Sequence, residues 1–232
     1  MDTYRTEEEQ IAAIRKFAAE NGAKVLAVIV AAIALFFAVQ NWQQSQQKNK
    51  ENASLLYSEL STAATAGASM TDENKAIFDA AYEQLMSEYG DSLYASYASF
   101  FKAKMSVEAG ELDAAEMSLQ WVVDANVNKD VTALAVLRLA RVKASNEKRE
   151  AALVLLSGDA GPYSAAFAEA QGDIYITQGD DENALIAYKK ADAAQTPGFS
   201  LSAQMLKMKI ESLDKTQQDK IFALQPVASS DK

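Results

Sequence analysis

The chain has 232 residues, 32 of them acidic and 22 basic, a formal net charge of −10, and neither cysteine nor histidine. Those two absences exclude a disulfide framework, a thiol nucleophile, an imidazole general base and nearly all zinc sites. From Lys48 onward 18 basic residues face 27 acidic ones, a balance that argues against nucleic acid and against docking on anionic lipid, and suits solubility or a basic client.

In chain order, Thr6-Glu7-Glu8-Glu9 reads as a capping box, followed by Ile11, Ile14 and Phe17 at helical spacing. Arg15 and Lys16 sit near the end of this short helix, and Asn21-Gly22 closes it. Residues 1–22 are therefore expected to form a cytoplasmic tail, either an interfacial or docking helix or a solvated segment that only sets topology. Next comes VLAVIVAAIALFFAV, Val25 to Val39, inside 23 uncharged residues from Val25 to Gln47. The 19 residues from Ala23 to Asn41 span roughly 28 Å as a helix, close to a hydrocarbon core of about 30 Å. Trp42 and Lys24 sit where interfacial residues belong. Residues 23–42 are expected to cross the membrane and to contact lipid; a buried core helix is the alternative. No small-x-small site follows, so the segment reads as an uncleaved anchor. Arg5, Arg15, Lys16 and Lys24 precede it, and only Lys48 and Lys50 follow closely, which places the N-terminus in the cytoplasm.

Residues 43–54 are polar and free of glycine and proline, so a helical stalk is expected there. Alanine is abundant, prolines number only three, and strand-like alternation is scarce, so the fold class is all-α. Leu55, Leu56, Leu60 and Ala63 define one helix, ended at Ala66-Gly67-Ala68. Thr71-Asp72 caps the next, with Ile77, Phe78, Ala81, Leu85 and Met86 on its apolar face, and Tyr89-Gly90-Asp91 forms the turn after it. These two make an αα-hairpin.

Gly172, Tyr175, Gly179-Asp180, Ala184, Tyr188 and Ala191 follow the spacing G-x2-Y-x3-G-D-x3-A-x3-Y-x2-A, which resembles a tetratricopeptide repeat. Gly172 and Ala184 are small where two helices approach closely. Gly179 supplies a left-handed helix end, Asp180 or Asp181 caps the next helix, and the two tyrosines fill space between hairpins. Gly110-Glu111-Leu112-Asp113-Ala114-Ala115 repeats the pattern 69 residues earlier, about twice the repeat period of 34. A further hairpin is expected between them at Leu139-Ala140 and Ala152-Leu153, with Asn146 near the turn, where a left-handed conformation is tolerated. A last helix, Ser200 to Leu213, turns Leu201, Met205, Met208 and Leu213 inward as a cap. The repeat domain is thus 55–213, followed by a mobile tail at 214–232.

The entry segment Ile11 to Val28, the run Leu137-Arg-Leu-Ala-Arg-Val142 and the run Gln204-Met-Leu-Lys-Met-Lys-Ile210 resemble the YfgM family, ancillary subunits of the bacterial SecYEG translocon. The likeness covers Glu8 to Leu213. It implies a single-span inner-membrane protein with a periplasmic domain, partnered by the translocon, a membrane-anchored periplasmic chaperone and exported clients. The alternative is an assembly factor for another envelope pathway, such as cytochrome maturation or cell division, built on the same parts.

Catalytic, cofactor and metal motifs are lacking: there is no phosphate loop, no G-x-S-x-G, no H-E-x-x-H and no EF-hand spacing. Asp180-Asp181-Glu182 reads as a cap before a metal cluster, and Asp79 with Glu83 as solvated carboxylates before an acid pair. No enzyme is expected. In a tetratricopeptide stack the first helix of each pair lines the concave face, which makes Tyr97, Phe100, Lys104, Arg138, Arg141, Glu169 and Asp173 the candidate protein-binding residues. Core packing is the competing role for Tyr97 and Phe100, and a solvated or internally ion-paired face for the two arginines.

Overall fold

Helix α1, Glu7–Ala64, runs through 58 residues in a computed structural model that describes residues 7–65, 71–194 and 203–223. Thr6, the turn at 66–68, Pro197 and Leu201 lie outside the described residues. Asn21-Gly22 does not close a helix, contrary to expectation: α1 passes through both. One interior glycine costs only about 1 kcal/mol, and the good helix formers Glu20, Ala23 and Lys24 lie within two residues of it. Among the described residues α1 carries the one stretch long and apolar enough to cross a membrane, and none of that stretch is buried by the protein. Leu35, Phe36 and Phe37 are exposed, which in water would be costly and in lipid is not. Gln43 to Asn52 is part of the same helix.

The chain divides into two units, Met1–Asn52 and Ala53–Lys232. In the second, the end of α1 is followed by α2 (Asp72–Glu88), α3 (Leu93–Glu108), α4 (Leu112–Ala125), α5 (Lys129–Ser145), α6 (Arg149–Leu156), a 3-10 turn at Gly161–Tyr163, α7 (Ser164–Gln178), α8 (Asp181–Ala193) and α9 (Ala203–Ala223). No strand occurs among the described residues. Thr71 caps α2 through Asn74 N at 3.2 Å, and Ser92 caps α3 through Ala95 N at 3.1 Å. Gly179 ends α7 at φ +74°, and Asp180 then caps α8, accepting from Asn183 N at 3.1 Å. Gly110 repeats the left-handed conformation at φ +77°.

The apolar side chains fall into four clusters, each joining one hairpin to the helix that follows it. Leu60, Phe78, Leu85 and Ala98 tie α1 and α2 to α3. Phe100, Leu119 and Leu139 tie α3 and α4 to α5. Leu137, Leu156 and Phe167 tie α5 and α6 to α7, and Ala168, Tyr188, Leu206 and Leu213 tie α7 and α8 to α9. Nearest-neighbour burial of this kind is the physics of a solenoid. The matching small positions Ala115, Ala152 and Ala184 are all at 0% exposure, so the doubled period corresponds to a real structural repeat.

Several inward faces differ from expectation. Leu55 points to solvent and Leu56 packs instead. Met205 and Met208 are exposed; α9 buries Leu206 and Leu213, with Ile210 between them. That i, i+4, i+7 set is also helical, and periodicity alone does not choose between two apolar stripes. The helix continues past Leu213 to Ala223. The left-handed residue of the α5–α6 turn is Glu147 at φ 60°, while Asn146 stays at φ −92°. The Asn146 side chain explains this, because its amide donates to Asp113 at 2.9 Å and to Glu116 at 2.7 Å.

Tyr188 packs within its own hairpin as well as toward α9. A Cβ on Gly172 would lie 2.5 Å from the Tyr188 ring. That ring is pinned, since its hydroxyl donates to Asp173 at 2.7 Å and Lys209 lies 5.1 Å from its centroid. Gly172→Ala is therefore expected to destabilise the domain by about 1–3 kcal/mol through overpacking, read as a lower urea midpoint. A gain in stability, as helix propensity alone would give, would contradict the packing.

Candidate partner-binding groove

Helices α3 and α5 touch, as do α5 and α7, so the first helices of successive hairpins stand side by side. Between α3, α4, α5 and the end of α1 lies a groove of about 660 Å³. Five of the seven candidate residues line it: Tyr97, Phe100, Lys104, Arg138 and Arg141. Tyr57 and Phe101 extend its aromatic wall, with ring centroids 6.0 Å apart for Tyr57–Tyr97 and 6.2 Å for Tyr57–Phe101. Phe100 serves both roles, lining the groove while belonging to the core; Tyr97 is exposed.

The cations differ in how they are held. Lys104 reaches Glu108 one turn away at 3.6 Å, both exposed, a pair worth little. Arg138 lays its guanidinium 4.5 Å from the Phe100 ring centroid, an attractive stacked geometry. Although Arg138 as a residue stays exposed, its charged end is partly desolvated there. Desolvation lowers its pKa, Tyr163 opposes this and nearby Arg141 adds to it. Neither arginine makes an ion pair among the described residues.

Glu169 and Asp173 are not brought to this groove. Both accept from Lys209 of α9, at 3.0 and 2.6 Å, and Asp173 also accepts from Tyr188. Burial by itself lowers the Lys209 pKa, but the two carboxylates outweigh it and raise the value. These acids fasten the last helix. Asp79 is likewise committed, to Lys75 at 2.8 Å and Lys102 at 2.9 Å, and Glu83 is exposed. No group of three or more histidine, cysteine or acidic residues is placed to hold a metal among the described residues.

Sequence reasoning missed Glu116. It is buried, and it accepts from Lys143 Nζ at 2.8 Å, Lys148 Nζ at 2.8 Å and the Asn146 amide. Burial acts to raise its pKa, yet Asn146, Lys143 and Lys148 together hold it down at about 2. It locks α4 to the α5–α6 turn. The signal was faint: an acid directly after the small Ala115, facing two lysines more than 25 residues on.

The sequence matches the family described as tetratricopeptide repeat-like domain over residues 15–215. A protein of Escherichia coli strain K12 named ancillary SecYEG translocon subunit is 29% identical over 217 residues, covering 92% of this chain and 99% of that protein. A protein of the same name from Haemophilus influenzae is 27% identical over 212 residues, covering 90% and 99%. The resemblance to the YfgM family agrees with these relatives. No solved structure matches.

Proposed function

The chain belongs to the tetratricopeptide repeat-like domain family, and from that premise we propose that it is a non-catalytic accessory protein of the Sec translocon, anchored in the bacterial inner membrane by α1. The observation that carries this reading is the near-complete, end-to-end match to two relatives whose name is ancillary SecYEG translocon subunit. The repeat domain is in this reading a docking module in the periplasm. Its groove between α3 and α5 receives a membrane-anchored periplasmic chaperone, which then meets exported clients near the channel. The anchor and its entry, residues 1–42, hold the protein at the channel.

Mild-detergent extraction of the tagged chain is expected to co-purify translocon subunits. Recovery of cytochrome-maturation or cell-division components without them would move the assignment to another envelope pathway. Orientation follows from the four basic residues before the apolar stretch against two soon after it. A reporter active only in the periplasm, fused after Lys232, should be active. Activity of a cytoplasm-only reporter at that position would remove the periplasmic reading and the chaperone role with it.

A further inference from the structure

The described ion pairs divide sharply by cation. Every one is made by a lysine: Lys75, Lys102, Lys104, Lys143, Lys148, Lys189 or Lys209. The repeat domain has only three arginines, Arg138, Arg141 and Arg149, and none takes part. That is the reverse of what chemistry favours. The planar guanidinium fork matches a carboxylate bidentately, whereas an ammonium acts as a point charge. Residues 48–232 offer 27 carboxylates, so acids are not in short supply.

The three unused forks lie on one tract. Arg138 and Arg141 line the groove of about 660 Å³. Arg141 also lines an adjoining cavity of about 400 Å³ between α5, α6 and α7, and Arg149 lies on its wall. Arg149 Nε is buried and has no hydrogen-bond partner among the described residues, a donor whose desolvation is uncompensated. Three acids line this tract, Glu108, Glu147 and Asp173, and none is paired with its arginines among the described residues. Asp173 is engaged by Tyr188 and Lys209, and Glu108 lies beside Lys104. Arg138 is also held in place in advance, its guanidinium carbon 4.5 Å from the Phe100 ring centroid.

We infer that the groove takes an acidic segment of a partner polypeptide, its carboxylates on Arg138, Arg141 and Arg149 and an apolar or aromatic side chain against Tyr97 and Phe100. This rests on the docking reading above and deepens it, naming the chemistry of the segment that docks. Charge complementarity selects the occupant: the groove sets Lys104, Arg138 and Arg141 against one acid, Glu108, on an otherwise acidic domain. A basic client, which the net charge of −9 from Lys48 onward would draw, belongs elsewhere on the surface.

The test is selection of a random library of displayed peptides, a dozen residues each, on the full chain in lipid nanodiscs. The expected binders are enriched in Asp and Glu interleaved with aliphatic or aromatic residues. By fluorescence anisotropy, replacing their acids by Asn and Gln should weaken binding about tenfold or more, as should replacing Arg138, Arg141 and Arg149 by lysine, which keeps charge but not the fork. Circular dichroism of that variant should be unchanged. Binders without acid enrichment, binders rich in Lys and Arg, or no binders at all would overturn the inference. So would acidic peptides indifferent to the arginine-to-lysine change, or light scattering that showed a second copy of this chain filling the groove. The same preparation is assayed for translocon and chaperone co-purification. Retained co-purification without acid selection sinks only the ligand chemistry; lost co-purification by the unaltered chain sinks the docking reading, whatever the peptides do.

Discussion

Truncating Phe78 to alanine is expected to destabilise the first hairpin by about 3–5 kcal/mol. Phe78 is at 0% exposure, and its cluster is otherwise rich in alanine: Ala53, Ala63, Ala64, Ala81 and Ala98 surround it with Leu60 and Leu85. Small side chains cannot swing in to fill the space a ring leaves, so the cavity term stays nearly whole. The ring also stacks on Tyr82, with centroids 6.1 Å apart, and lies under Lys102 at 5.7 Å. In a solenoid stability is close to a sum over neighbours, so the loss should concentrate in α2. Hydrogen exchange should show α2 opening first, with α7 and α8 little changed. Uniform loosening along the domain would contradict the nearest-neighbour account.

Glu116→Gln is expected to cost about 2–3 kcal/mol at neutral pH, the depressed pKa converted by linkage and reduced for the exposure of Lys148. The folded carboxylate titrates at about 2 against an ordinary value of 4.5. A depressed value means the contribution is complete above 4.5 and is lost as pH falls toward 2. The gap in urea stability between the chain and its variant should therefore narrow below about pH 4.5 and nearly close by pH 2. A gap independent of pH would show that shape, not charge, makes Glu116 matter. The amide also leaves Lys143 with no carboxylate and Lys148 with Asp113 alone, at 2.9 Å, so the α5–α6 turn that carries Arg149 should loosen.

The repeat architecture was legible because its markers are local. Gly179, Asp180 and Ala184 mark a helix end, a cap and a close approach, each within a few residues. Their recurrence at Gly110 and Ala115 fixed the period. Tyr97, Phe100, Arg138 and Arg141 could be placed on one tract for the same reason, since the register of first helices sets which side chains share a face. What escaped were choices made by distant partners. Glu169 and Asp173 lie on α7 as expected, but Lys209, 40 and 36 residues later, takes both. Glu116 is buried because Lys143 and Lys148 come back to meet it. Asn146 lost the left-handed position to Glu147 once its side chain was engaged by α4. The inward face of α9 depended on which of two apolar stripes met Tyr188 and Ala168, and the surfaces of α7 and α8 decide that, not the spacing in α9. The long run of α1 through Gly22 was a propensity judgement, and one glycine proved too weak to break it.

The central claim is a division of labour, with the anchor on the channel and the groove on a partner protein. Its most direct test is reversal of two charges, Arg138→Glu with Arg141→Glu, in the full chain, followed by mild-detergent co-purification. If the arginines make desolvated ion pairs with the partner, chaperone binding should weaken by about 1–3 kcal/mol, while translocon subunits remain bound and circular dichroism stays helical. Release from the channel with the chaperone kept, or a folded double variant that retains both partners unchanged, would contradict it.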